Sequence, residues 1–214
     1  MWWPLILLLA MCGLALCAGN TWAAPITYGF YNITNNNPGD AAIGEARLFV
    51  DVDAYGSNQV LFTFRNIGPE DSSIADVYFD DGTLLGIASI DNWNNGEDGV
   101  SFSQLATPAE LPGGNVVGFE TTAGFSADSD SPAQPNGVNP GEYLGIVFDL
   151  QDGKIFNDVI NDLSTGALRI GIHVQGFESD GSEGFVNVVP IPSALLLLGT
   201  GLLGLFGVSR KLKD

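Results

Sequence analysis

Three stretches gather oxygen-bearing side chains in the pattern a hard cation needs: "DNWNNGEDG" (91–99), "SADSDS" (126–131) and "ESDGSE" (178–183). Calcium takes several oxygen ligands from flexible Asp/Asn/Gly loops. That chemistry makes Asp91, Asn95, Glu97, Asp98, Asp128 and Asp130 the candidate ligands. None of the stretches has EF-hand spacing, because Trp93 fills the third position of the first loop and no Glu stands at its twelfth. Trp93 could stack on a sugar ring, although the other tryptophans, Trp2, Trp3 and Trp22, all lie at the N-terminus.

Catalytic groups are scarce. His173 is the only histidine, and alternation along 167–177 puts it on the solvent-facing side with Arg169 and Gln175. A triad needs a nucleophile and an orienting carboxylate beside the imidazole, and no G-x-S-x-G elbow occurs. Glycoside hydrolysis needs two carboxylates about 5–10 Å apart. Glu120, Glu142, Asp149 and Glu178 lie in or beside strands and are its nearest candidates. In so acidic a chain such pairs carry little weight, and no enzymatic activity is expected.

The elements that must position these groups read as strands. "RLFVDVDAY" (47–55) sets Leu48, Val50 and Val52 on one face, and "QVLFTFRNI" (59–67) does the same with Val60, Phe62 and Phe64. Gly56-Ser57-Asn58 joins them as a hairpin. "IADVYFDDGTLLGIASI" (74–90) reads as a second hairpin with Asp81-Gly82 at its tip. "EYLGIVFDL" (142–150), "ALRIGIHVQGF" (167–177) and "FVNVV" (185–189) complete the strands. "FNDVINDL" (156–163) carries a helical stripe instead. "NNNPGD", "LPGG" and "SPAQPNGVNPG" read as loops. Short strands and abundant glycine predict an all-β body, an antiparallel, jelly-roll-like β-sandwich over residues 25–189.

That body carries 24 acidic residues against Arg47, Arg65, Lys154 and Arg169, a net charge of −20. Such a field repels phosphate backbones and excludes nucleic acid as a partner. It also opposes anionic headgroups and acidic polysaccharides unless divalent cations bridge them.

Both ends are apolar. "LILLLAMCGLALC" (5–17) followed by small residues reads as a signal peptide over 1–24, too short to span a bilayer. Cys12 and Cys17 lie within it, so cleavage leaves no disulfide, thiolate or Cys-based metal site. Residues 191–208 contain no charge, and as a helix would reach roughly 27 Å, enough for a thin bilayer core. Arg210, Lys211 and Lys213 follow as a cytoplasmic stop.

Val189-Pro190-Ile191-Pro192-Ser193 followed by "ALLLLGTGLLGLFGVSRK" resembles the PEP-CTERM sorting signal of Gram-negative bacteria: a Pro-x-Pro motif, a Gly-spotted transmembrane helix and a basic end, in that order. Ile191 stands where that family has Glu. The resemblance implies an exosortase-type membrane protease as partner, with Val189–Ser193 as the handle it reads. It further implies exopolysaccharide association, and residence in the inner membrane before release to the cell surface or matrix. The body, through 61–87 and 124–150, looks like the β-rich domains found ahead of such tails. A non-enzymatic exported protein is therefore expected. The alternative is a calcium-stabilised carbohydrate-binding module or glycan-active enzyme.

Overall fold

The computed structural model describes residues 24–92 and 99–189. The segment read as a signal peptide, through Ala23, the loop bearing Trp93, Asn95, Glu97 and Asp98, and the tail from Pro190 through Asp214, with Arg210, Lys211 and Lys213, lie outside the described residues.

The all-β expectation holds. In chain order the described elements are β1 (Ile26–Asn32), α1 (Pro38–Arg47), β2 (Leu48–Tyr55), β3 (Gln59–Asn66), β4 (Ser73–Asp81), β5 (Leu84–Asn92), β6 (Phe102–Gln104) and β7 (Ser126–Ser129). They continue with α2 (Ala133–Asn136), β8 (Tyr143–Leu150), α3 (Phe156–Thr165), β9 (Leu168–Gln175) and β10 (Glu183–Asn187). The strands form one antiparallel sheet in the order β5-β8-β3-β2-β1-β10-β9-β4-β7-β6.

Strand β1 lets one sheet make two facing layers. Ile26–Gly29 pair with β2, whereas Phe30–Asn32 pair with β10. The sheet therefore turns a corner along a single strand, and the alternation of Tyr28 and Phe30 keeps both parts facing the core. Phe62, Phe64 and Phe148 from one layer meet Phe79 from the other, edge-on; Phe62–Phe79 centroids are 5.0 Å apart and Phe79–Phe148 4.6 Å. Such geometry adds about 0.5–1.5 kcal/mol per pair beyond area burial. At the far seam Asn92 imitates a strand: its carboxamide accepts from Phe102 N–H (2.8 Å) and donates to Phe102 C=O (3.3 Å). The sheet is thus nearly a closed barrel.

The β2–β3 hairpin forms as read, with Tyr55 opposite Gln59. The strand at 142–150 forms as β8, the alternation of 167–177 leaves Leu168, Ile170, Ile172 and Val174 of β9 facing the core, and Val159 and Leu163 of α3 close one end of it. Three readings are corrected. The segment 74–90 is no hairpin: β4 pairs with β9 and β7, whereas β5 pairs with β8. The chain at Asp81-Gly82 crosses from one layer to the other because β4 is buried on both faces and β5 is a half-exposed edge. The "NNNPGD" segment starts a helix: Asn37 caps Gly39 N–H, and Pro38 fits the first turn. "SADSDS" forms β7, not a loop.

Candidate functional site

The layer containing β10, β9, β4 and β7 is covered on its outer side by the segment 105–119. Leu111 and Phe119 lie over Gly171, where an added Cβ would stand 2.6 Å from Leu111 Cδ2. Pro112 C=O approaches Gly184 equally closely, and the Tyr78 hydroxyl donates to Pro108 C=O at 3.0 Å. A second, smaller apolar cluster of Tyr78, Ala106, Leu111, Phe119 and Val186 results.

Beside this cover, register lines up three ionisable groups across neighbouring strands. Asp128 on β7 stands opposite Asp76 on β4, and Asp76 opposite His173 on β9. His173 Nδ1 lies 2.8 Å from Asp76 Oδ2, and their side chains are only 12% and 3% exposed. His173 is therefore not the surface residue that alternation suggests. Alternation separates the core side of a strand from the other side, and here the other side carries a further layer. Asp76 Oδ1 is sealed from solvent without a hydrogen-bond partner. A proton on Asp128 supplies one. Burial first, then the hydrogen bond to Asp76 and its charge, push the Asp128 carboxyl up to about 6.

The rest of the face is satisfied by pairing. Arg169 binds Asp80, the carbonyls of Val117 and Gly118, and the ring face of Phe119, 5.3 Å from its centroid. The Tyr78 phenol is pushed up by burial first and then by the charges of Asp76, Asp128 and Glu110. Asp130 accepts from the hydroxyls of Ser101 and Ser103, which hold its carboxyl below the usual range. Glu183 opposes burial with bonds from Thr34, Asn32 and the backbone N–H groups of Asn37 and Asn36, and their sum lowers its carboxyl. These bonds fix residues 32–37 against β10.

This arrangement can hold a proton between two carboxylates and orient an imidazole. Among the described residues no hydroxyl is hydrogen-bonded to His173, so no Ser-His-Asp relay exists there. Nor do those residues contain a group of three or more His, Cys, Asp or Glu side chains able to hold a metal ion. The calcium candidates within them separate: Asp91 is on β5 and touches Ser89, whereas Asp128 and Asp130 are occupied as described. Of the glycosidase candidates, Glu142 is engaged by Asn139 and Asp149 by Gln59. Asp76 was missed in the sequence because one Asp in the apolar run "IADVYF" carries no signal that its side of the strand is covered.

A separate open polar notch of about 350 Å³ lies where β9 ends, lined by Gln134, Gln175, Gly176, Asp180, Gly181 and Ser182. Gly176 has φ +71°, and an added Cβ would stand 2.7 Å from Gln134 Nε2. Glycine there both permits the turn and admits the amide.

No family model, curated protein or solved structure matches this chain.

Finally, the first and last strands of the body run towards the same end. β1 starts, and β10 finishes, at one end of the molecule, where Val188 N–H bonds Gly29 C=O at 2.9 Å. Val189, the one described residue of the stretch Val189–Ser193, lies 37% exposed beside Gly166. Among the described residues no helix is long and apolar enough to cross a membrane.

Proposed function

We propose that this chain is an exported, non-enzymatic surface or matrix protein whose jelly-roll-like body is cargo, delivered by a PEP-CTERM-like tail. The observation that carries the reading is that β10 runs antiparallel to β1 towards its start, with Val188 N–H on Gly29 C=O, so that the chain enters and leaves the body towards the same end. Apolar segments leaving opposite ends could not both enter one bilayer without the body straddling it. Leaving from one end, the N-terminal segment and the run 191–208 enter the same membrane face while the body stays on the other side of the headgroups. Arg210, Lys211 and Lys213 then hold the C-terminus inside, and Val189–Ser193 sits at the interface, within reach of an exosortase-type membrane protease. Exopolysaccharide is the proposed destination partner.

Fractionation tests this. The full chain should associate with membrane or cell surface, while a chain lacking 190–214 should appear soluble in the periplasm or medium. Equal distribution of both contradicts the tether.

The carbohydrate-binding reading has one specific support, the notch. Two carboxamides, a carboxylate, a hydroxyl and glycine backbone give donors and acceptors without any cation. That suits a neutral, hydroxyl-rich ligand over an anionic one. A glycan array probed with the full chain should then give a hit that Gln175→Ala removes. A hit removed by Trp93→Ala but kept in Gln175→Ala would place binding at the 91–99 loop instead.

A further inference from the structure

The end of the body from which both apolar segments leave is itself apolar. Antiparallel pairing brings to this end the start of β1, the β2–β3 turn, the start of β5, the loop before α3 and the residues after β10. Eleven large hydrophobic residues are exposed among those described, and six of them stand here: Ile26, Tyr55, Leu85, Ile155, Val188 and Val189. Leu85 is 60% and Ile155 56% exposed. Among the described residues Tyr31, Ile67 and Tyr143 are exposed towards the opposite end, and Leu105 and Val116 lie on the covering segment 105–119. Scattered exposed apolar residues are ordinary, but concentration on one end marks an interaction surface.

Connectivity selects the occupant. Val189 is followed after one residue by the 18-residue uncharged run 191–208, and Ile26 lies nine residues after Cys17. No other part of the body is so close in sequence to membrane-seeking chain. We infer that this end rests on the bilayer, its exposed apolar side chains entering the headgroup–acyl boundary of zwitterionic lipid. This rests on the tethered reading above and adds an orientation to it.

The charges at this end fix the kind of lipid. Lys154 is the one cation there outside an ion pair among the described residues, since Arg169 is held by Asp80. Asp81, Asp152 and Asp158 lie in the same end's turns and α3. Their charge opposes an anionic surface, so the contact is made by apolar burial. Such a shallow contact is weak alone. Tethering supplies the local concentration that makes it persist.

Single-cysteine labelling of the full chain in phosphatidylcholine nanodiscs tests the inference, with Cys12 and Cys17 replaced by alanine. An environment-sensitive fluorophore goes in turn on Leu85→Cys, Ile155→Cys, Ile67→Cys and Thr200→Cys. The labels at 85 and 155 should be at least about threefold less accessible to an aqueous quencher than the label at 67, and be reached by a lipid-borne quencher. A label at 200 within lipid, with 85 and 155 as wet as 67, overturns this inference and leaves the tether standing. A label at 200 outside lipid overturns both.

Discussion

The two layers of the sheet follow the same inward alternation but treat their outer faces differently. On the β2–β3 side the outward residues Phe49, Leu61, Thr63 and Arg65 stay half-exposed, and Arg65 pairs with Asp51 at the surface. On the β4–β9 side the segment 105–119 lies across the face, burying Asp76 and Tyr78. Covering a face removes water from its polar groups, so each needs a protein partner or a proton. The cluster that most resembles an active site is thus where a second layer makes pairing compulsory. Buried chemistry here is a consequence of architecture, and the uncovered layer shows the same residue types at ease in water.

Both layers share one aromatic core, which sets the largest expected effect. Phe79→Ala removes the ring that touches Phe62, Phe64 and Phe148. It should cost about 3–5 kcal/mol in denaturant unfolding. A cost below about 1 kcal/mol would mean that the layers are held independently.

A matched pair of glycines sharpens the difference between the faces. Gly171→Ala pushes a methyl into Leu111 and Phe119 and should destabilise by about 1–3 kcal/mol. Gly86→Ala, where nothing lies within 4 Å, should be neutral or gain up to about 1 kcal/mol. Equal costs would show that 105–119 is not packed on the sheet.

A smaller effect carries a pH signature. The Asp128 carboxyl is raised from 3.8 to about 6, so the folded chain holds this proton more tightly than the unfolded chain. The contribution is therefore full below about pH 4, falls as pH rises towards 6, and is level above. Glu183 and Asp130 are lowered and act with the opposite sign, losing stability as pH falls through the acid range. Asp128→Asn should raise the Tm at pH 7, where its amide can donate to Asp76 Oδ1, and lose that advantage at pH 4. A constant difference at both values refutes the shared proton. The smallest effect belongs to the open layer: Arg65→Met should cost under about 1 kcal/mol, as half-exposed ion pairs do.

Much of this was legible where one physical pattern acts alone. Leu48, Val50 and Val52 alternate against half-exposed neighbours, and Ile170, Ile172 and Val174 alternate with Arg169, His173 and Gln175, so both inward faces are legible. β1 was not read, since "ITYGFYN" is interrupted by Gly29 and follows closely on the apolar segment 5–17. The false hairpin at 74–90 arose because Asp81-Gly82 is equally good chemistry for any tight turn, and partner choice is a long-range property. β7 escaped because "SADS" is polar, and its strand identity comes from pairing with β4 and β6. The Asp128–Asp76–His173 row needed three strands in register, 97 residues apart at its widest, which no local signal encodes.

The intact mass of the protein from its native cell tests the central claim most directly. Cargo between two addresses predicts a mature species starting near Ala24 and lacking everything beyond about Ser193. A single full-length species, retaining both apolar ends and recovered from the aqueous cytosol, would contradict it.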